Sequence, residues 1–233
     1  MRTSRLDPGI VHLALSDQHV VPECDEVLGW VAEATTLDTG MPVGSVRTGA
    51  LFPDAAQQFA DAGFVTIDTL ALLRIDLDTD DLPHREGPPP RTGALRPRHH
   101  EAAAAVDRAA FGDPVGNDGH DLGDIRRATP VQRAQARFAG PLGQRRLIAF
   151  AITGAARHHG YLQRLAVDPA AQGCGHGRAL VVDALRWMDR RRLIDGVVNT
   201  GVGNAAALAL YAGLGFQLRP EQLQVMQLDL AST

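Results

Sequence analysis

Lysine is missing: all 23 basic residues of the 233-residue chain are arginine. That absence removes whole classes of chemistry, because a Walker A loop, a protein kinase and a pyridoxal enzyme each need a lysine at the reacting phosphate or carbonyl. Cysteine is scarce, with Cys24 and Cys174 far apart in the chain. No disulfide framework is possible, reduced thiols are expected, and no Cys/His cluster has metal-ligand spacing, so no metal is expected. Two tryptophans, two tyrosines and a net charge of −4 give little to stack on bases or neutralise phosphates, so no nucleic-acid partner is expected. No run approaches the ~18 apolar residues of a membrane span. The opening "MRTSRLDPGIVHLALSDQ" brings an acid and a proline too early for a signal peptide, and the reading is a cytoplasmic protein with no membrane partner.

What is present is unevenly placed. Residues 1–86 hold 15 acids and 5 arginines, net −10, whereas residues 87–233 hold 12 acids and 18 arginines, net +6. An acidic half joined to a basic half suggests that the basic half handles an anion and that the acidic half attracts cationic amines. Between them "DLDTDDLPHREGPPPRTG" cannot supply a core-facing stripe and reads as a linker. The expected organisation is a first region over 1–78, a linker over 79–92 and a main domain over 93–233. In the last, the patterns predict strand 91–98, helix 100–111, a polar segment ending near Pro130, and strands at 134–140, 145–153 and 161–167. Helix 176–192, strand 196–201, helix 204–213 and a strand pair over 215–230 follow. Helices alternating with strands make the fold α/β or α+β.

The first region carries a faint copy of the second. Laying "VRTGALFPDAAQQFADAGF" under "VNTGVGNAAALALYAGLGF" at a constant offset of 152 aligns Val46, Thr48, Gly49, Ala55, Ala60, Gly63 and Phe64 with identical residues, and Phe59 with Tyr211. The same offset sets "VVPECD" under "QGCGHG", so that Glu23, Asp25 and Pro22 stand where the second copy has its glycine turn. Carboxylates repel an anion and proline lacks an amide proton, so the first copy is expected to be a partner without the ligand.

In "LAVDPAAQGCGHGRAL" a strand ends at Val167, Pro169 stops it, and a helix begins near Gly175–Gly177 with its apolar stripe on Leu180, Val181, Ala184, Leu185 and Met188. The first amides of such a helix have no internal acceptor, and the dipole adds about half a positive charge. Glycines at 173, 175 and 177 let oxygens approach the backbone, and Arg178 adds a cation. The turn is built to hold a pyrophosphate. It is not a Rossmann turn, since from Gly173 the sixth position is Arg178.

The pattern is Q-x-x-G-x-G, over Gln172, Gly175 and Gly177. With "YLQRLAVDP" before it and "VVNTGVGN" and "LALYAGLGF" after it, residues 90–233 resemble the GNAT superfamily of N-acetyltransferases. The resemblance implies a GNAT-like mixed central sheet flanked by helices, with a partial GNAT-like half-domain before it. It implies acetyl-CoA as donor, lying where two parallel strands splay, with Leu165, Ala166 and Val167 alongside the pantetheine arm and their amides towards the thioester oxygen. It further implies that Gln172, Gly173, Cys174, Gly175, His176, Gly177 and Arg178 hold the pyrophosphate. Asn204 is explained as a helix N-cap, and the resemblance adds a cofactor contact. Tyr211 lies on an apolar helix face and reads as core; the resemblance makes it the acid that protonates the departing thiolate.

Many members place a carboxylate on the strands flanking the cleft to deprotonate the amine. "YLQRLAV" and "VVNTGV" contain none, so no general base is assigned, and His158 and His159 read as an exposed loop. Cys174 is not needed as a nucleophile in direct transfer. Two functions stay open: an N-acetyltransferase acting on a small-molecule or peptide amine by direct attack in a ternary complex, or an acyl-CoA-binding sensor or scaffold with little turnover. The acceptor stays open too, as does the choice between monomer and homodimer.

Overall fold

The computed structural model describes residues 2–7, 9–15, 20–36, 42–79, 82–112, 119–141 and 144–230. Asp80 and Asp81 of the expected linker lie outside them. The chain forms β1 (Arg2–Asp7), β2 (Ile10–Ala14), α1 (Cys24–Thr35), β3 (Ser45–Thr48), α2 (Pro53–Asp61), β4 (Val65–Asp76), β5 (Gly93–Ala94), α3 (His100–Phe111) and α4 (Gly119–Arg127). It continues through β6 (Val131–Ala139), β7 (Arg146–Ala156), β8 (His159–Val167), α5 (His176–Arg190), β9 (Asp195–Gly201), α6 (Ala205–Ala212) and β10 (Gln217–Asp229). Two compact units result. The first comprises Met1–Leu72, Asn199–Ala205 and Arg219–Thr233, and the second Leu73–Val198 and Ala206–Leu218.

In the first unit β2 runs antiparallel to β1 and parallel to β3, and β3 is antiparallel to β10, with Val46 opposite Leu228. Val11, Leu13, Val27, Val46, Phe59, Phe64 and Met226 form its core. Phe59 meets Phe64 edge-on with ring centroids 5.1 Å apart, an arrangement aromatic quadrupoles favour.

In the second unit the strand order is β9-β8-β7-β6-β5, antiparallel except for the parallel β8/β9 pair. The α3/α4 face buries Ala103, Leu122, Ala136, Phe150, Ile152 and Ala166. α5 covers β7 and β8. Its approach depends on glycine: a Cβ on Gly160 would stand 2.5 Å from the sulfur of Met188, and Gly160 lies opposite Gly196 across the β8/β9 ladder.

Several expectations shift. α4 takes up part of the expected polar segment; its "GHDLGDIRR" offers only Leu122 and Ile125 as apolar residues among two glycines, too few to show a period. Residues 217–229 form one strand through exposed Pro220 where a strand pair was expected. The segment read as a linker has fixed partners on α5. Arg186 donates to the carbonyls of His84, Glu86 and Gly87 at 2.6, 2.7 and 2.8 Å, and Arg85 and His84 both reach the carboxylate of Asp189. No helix among the described residues is long and apolar enough to cross a membrane.

Candidate active site

The site is laid out by how β8 ends. Its parallel register with β9 covers only His159–Tyr161 against Asp195–Val197. On the other edge β8 stays paired with β7 to its end, Leu165 opposite Ala151, Ala166 opposite Phe150 and Val167 opposite Ala149. Leu165–Val167 are thus a strand held on one side, with no register to β9. Ala166 is buried in the α3-side core, while Leu165 and Val167 point to the other face, where both approach Gly177.

Opposite the Ile152–Thr153 step of β7, β8 carries one extra residue, a bulge at Gln163 that puts Gln163 and Arg164 together on the helix side of β8. Arg164 donates to both oxygens of Asp107 on α3, at 2.8 and 2.7 Å, and lies 3.8 Å over the ring of Phe111. Gln163 donates to the carbonyl of Ile125 on α4 at 2.8 Å. The bulge therefore ties both helices to the strand immediately before Leu165.

Beyond Val167 the turn is fixed from two sides. Asp168 accepts from the N–H of Ala170 at 2.9 Å and from Arg146 at 2.7 Å, and these bonds, the backbone one foremost, hold its carboxyl below the usual range. Gln172 donates to the carbonyl of Val167 at 3.3 Å. Gly173 and Gly175 have φ of +74° and +77°, the left-handed region costly for any residue with a Cβ. Nothing lies within 4 Å of where a Cβ would stand on either, so the turn is open on that side. Gly177 differs. A Cβ there would meet Leu210 at 3.4 Å and Val167 at 3.6 Å, so its small size lets α5 start close against β8 and α6.

Gly175 is the N-cap of α5 and supplies no side-chain cap, and the first intrahelical bond runs from Ala179 N–H to Gly175 carbonyl. The amides of His176, Gly177 and Arg178 are left without intrahelical acceptors, in a turn where Cys174 and Arg178 are exposed. The Nδ1 of His176 is buried without a partner. Burial, and then the nearby charge of Arg137, lower the pKa of this histidine, leaving it neutral at physiological pH. Unclaimed amides, an open glycine backbone and flanking arginines fit a diphosphate, and the one-sided strand fits a pantetheine arm.

Tyr211, on α6, is 4% exposed and tilted against Phe216 with centroids 5.5 Å apart. Burial raises its pKa, so the hydroxyl keeps its proton. Asn204 precedes α6, its N–H donating to the Gly201 carbonyl at 2.9 Å, and belongs to the first unit. His159 begins β8, bonded to Asp195 at 2.9 Å, and six residues of strand, about 20 Å, separate it from Leu165. Neither it nor His158 reaches the Leu165–Val167 segment. Arg137, Arg146 and the Arg164–Asp107 pair were not read from the sequence. Only "DP" after the strand, a common turn start, pointed to Asp168.

Comparison with known proteins agrees with this geometry. The model of the acetyltransferase (GNAT) family matches residues 123–216. The chain is 30% identical to a mycothiol acetyltransferase of Thermobispora bispora over 81% of its own length and 67% of the relative's. It is 33% identical to the [ribosomal protein bS18]-alanine N-acetyltransferase of Escherichia coli over 39% of its length and 68% of that protein's. Two further mycothiol acetyltransferases match more closely over short stretches, where the chain covers only 16% and 19% of their lengths. Among solved structures, a tandem GNAT protein from the clavulanic acid biosynthesis pathway superposes with a TM-score of 0.63 at 14% identity, covering 97% of this chain and 77% of that one, a likeness of fold. The chain belongs to the GNAT acetyltransferase family, whose members use acetyl-CoA.

Proposed function

We propose that the protein is an N-acetyltransferase that moves the acetyl group of acetyl-CoA directly onto an amine held in the same ternary complex. The observation that carries this is the uncapped start of α5, opened by two left-handed glycines, at the end of a strand that has left its parallel neighbour. In this reading Gln172–Arg178 bind the diphosphate through backbone amides, Arg178 and neutral His176. Leu165, Ala166 and Val167 align the pantetheine arm and aim an amide at the thioester oxygen. One such donor contributes ~2.7–4 kcal/mol to the transition state. Asn204 contributes a cofactor contact, and Tyr211, kept protonated by burial, delivers its proton to the departing thiolate.

The first unit supports the assignment by contrast. α1 and α5 start at Cys24 and His176, α2 and α6 at Pro53 and Ala205, β4 and β10 at Val65 and Gln217, each pair 152 residues apart. The same spacing relates the aromatic pair Phe59/Phe64 to Tyr211/Phe216. We read residues 1–78 as a degenerate half-copy in which the site is closed. β2 pairs with β3 through Leu13 and Thr48, with a further bond from Gly49 N–H to the Leu13 carbonyl, so no splay opens. At the start of α1, Glu26 accepts from the Glu23 N–H at 3.0 Å, and Asp25 and Glu26 lie in the first turn, where an anion would be repelled.

Titration calorimetry with acetyl-CoA, paired with turnover on a panel of amines, tests the reading. Gly175→Glu is expected to abolish binding. Tyr211→Phe is expected to keep the affinity and lose about 100- to 10,000-fold in kcat, the range of a general acid. Binding without turnover in the unaltered protein favours a sensor, and no binding of acetyl-CoA refutes both.

A further inference from the structure

One strand of the second unit meets α5 along a seam that carries two arginines. Arg133, Gln135 and Arg137 alternate on β6 with Ala134, Ala136 and Phe138, which enter the α3-side core, so the first three lie on the α5 face. Arg133 accordingly reaches the carboxylate of Asp183 on α5 at 3.0 Å. Arg137 stands four residues further along the strand, about 13 Å. His176, the first residue of α5, stands two turns before Asp183, about 10 Å along the helix. The register sets Arg137 opposite Ala149 and Ala149 opposite Val167, whose side chain approaches Gly177, so this row of the sheet runs under the opening turn of α5. The first arginine of the seam meets a carboxylate, and the second stands near an imidazole.

The guanidinium of Arg137 donates to the carbonyl of Arg91, a neutral acceptor that leaves its positive field in place. His176 registers that field: burial first, and Arg137 second, hold its pKa below the ordinary value. The other cationic or titratable groups of this region, Arg91, Cys174 and Arg178, are exposed. A neutral imidazole carries one N–H and one lone pair, and its surroundings decide which nitrogen has the proton. In His176 the Nδ1 is buried without a hydrogen-bond partner among the described residues, whereas Nε2 is not buried in this way. A proton on Nδ1 would strand a donor inside the protein, near a cation that repels it. A lone pair on Nδ1 turns the negative end of the ring towards the guanidinium instead.

Resting on the acetyltransferase reading above, we propose that Arg137 is a positioning residue for the donor: it fixes the proton of His176 on Nε2, and that N–H donates to a diphosphate oxygen of acetyl-CoA. Arg137 acts through the ring, by its charge, from the sheet side. The turn then presents donors alone to the anion, the amides of His176, Gly177 and Arg178 together with the imidazole N–H. A ring protonated on Nδ1 would set a lone pair against the phosphate, and two acceptors repel. No covalent bond is made or broken by this device, and its effect is confined to donor binding.

The experiment compares the full chain with Arg137→Gln and Arg137→Lys. Side-chain nitrogen chemical shifts of His176, assigned with the help of His176→Gln, read the tautomer in the free protein from about pH 6 to 9. Affinities are measured by titration for acetyl-CoA and for S-acetyl-pantetheine, which has the thioester arm and no diphosphate. Expected are an Nε2–H ring in the unaltered protein and in Arg137→Lys, which keeps the cation, and a mixture of tautomers in Arg137→Gln, with the ring taking up its second proton at a higher pH. Acetyl-CoA should bind Arg137→Gln about threefold to tenfold more weakly at pH 8, from the lost tautomer and the lost charge together, while the affinity for S-acetyl-pantetheine stays as it was. Should the glutamine variant fail to fold, the unaltered protein and the lysine variant still decide the tautomer. An Nδ1–H ring in the unaltered protein, an unchanged tautomer in folded Arg137→Gln, or an equal loss of affinity for both donors overturns the proposal and leaves the transferase reading standing. No binding of acetyl-CoA to the unaltered protein overturns both.

Discussion

Replacing Asp107 with asparagine removes one negative charge and almost no volume from a position with no solvent exposure. Its partner Arg164, at 17% side-chain exposure, would keep its positive charge and lose both charge-assisted bonds, now 2.8 and 2.7 Å long. The ring of Phe111, 3.8 Å from the guanidinium carbon, returns only part of the loss, about 0.5–2 kcal/mol for a cation over an aromatic face. Breaking a buried pair from one side costs about 3–5 kcal/mol because the remaining charge is stranded. At about 2–4 °C per kcal/mol for a chain of this size, Asp107→Asn should melt roughly 6–20 °C lower. Urea unfolding followed by circular dichroism measures the change, and amide hydrogen exchange should show the loss concentrated in α3. Removing both charges together, as Asp107→Leu with Arg164→Met, should recover most of the stability, since apolar replacements of buried pairs are often neutral or better. A loss below about 1 kcal/mol for the asparagine variant would mean that water reaches Arg164 in solution, and the argument that the bulge locks α3 to β8 would fail with it.

Gly160→Ala should cost about 1–3 kcal/mol by urea unfolding, because the added methyl stands 2.5 Å from the sulfur and 2.9 Å from two carbons of Met188, which is itself buried. A neutral result would show that α5 can back away from the sheet. Stability should also fall in acid through His84, whose pKa is lowered chiefly by burial. The folded protein keeps this ring neutral while the unfolded chain protonates it near pH 6.5, so the contribution is whole above that value and drains away as pH falls towards the depressed folded pKa. His12, His99, His100 and His176 are shifted in the same direction and add to the slope. Denaturation midpoints of His84→Gln between pH 7 and 5 should fall less steeply than those of the unaltered protein, and parallel curves would refute the assignment.

The parts of this protein legible from residues alone are those governed by backbone within about ten positions. The glycine turn, the helix opening at His176 and the helix over 100–111 follow from φ preferences, apolar spacing and the proline after the strand. The GNAT pattern is legible for the same reason, since it is a string of such local features in a fixed order. Tertiary structure decided the rest. α4 exists because Leu122 has a core to enter and Gln163 holds the Ile125 carbonyl, neither visible in a segment with two apolar residues. The segment read as a linker is held by Arg186, about a hundred positions away. Which arginine meets which carboxylate was equally unreadable, because charge carries no periodicity and every arginine looks alike in a chain without lysine. Pairing is fixed by which strands and helices become neighbours, and it leaves these carboxylates serving as anchors.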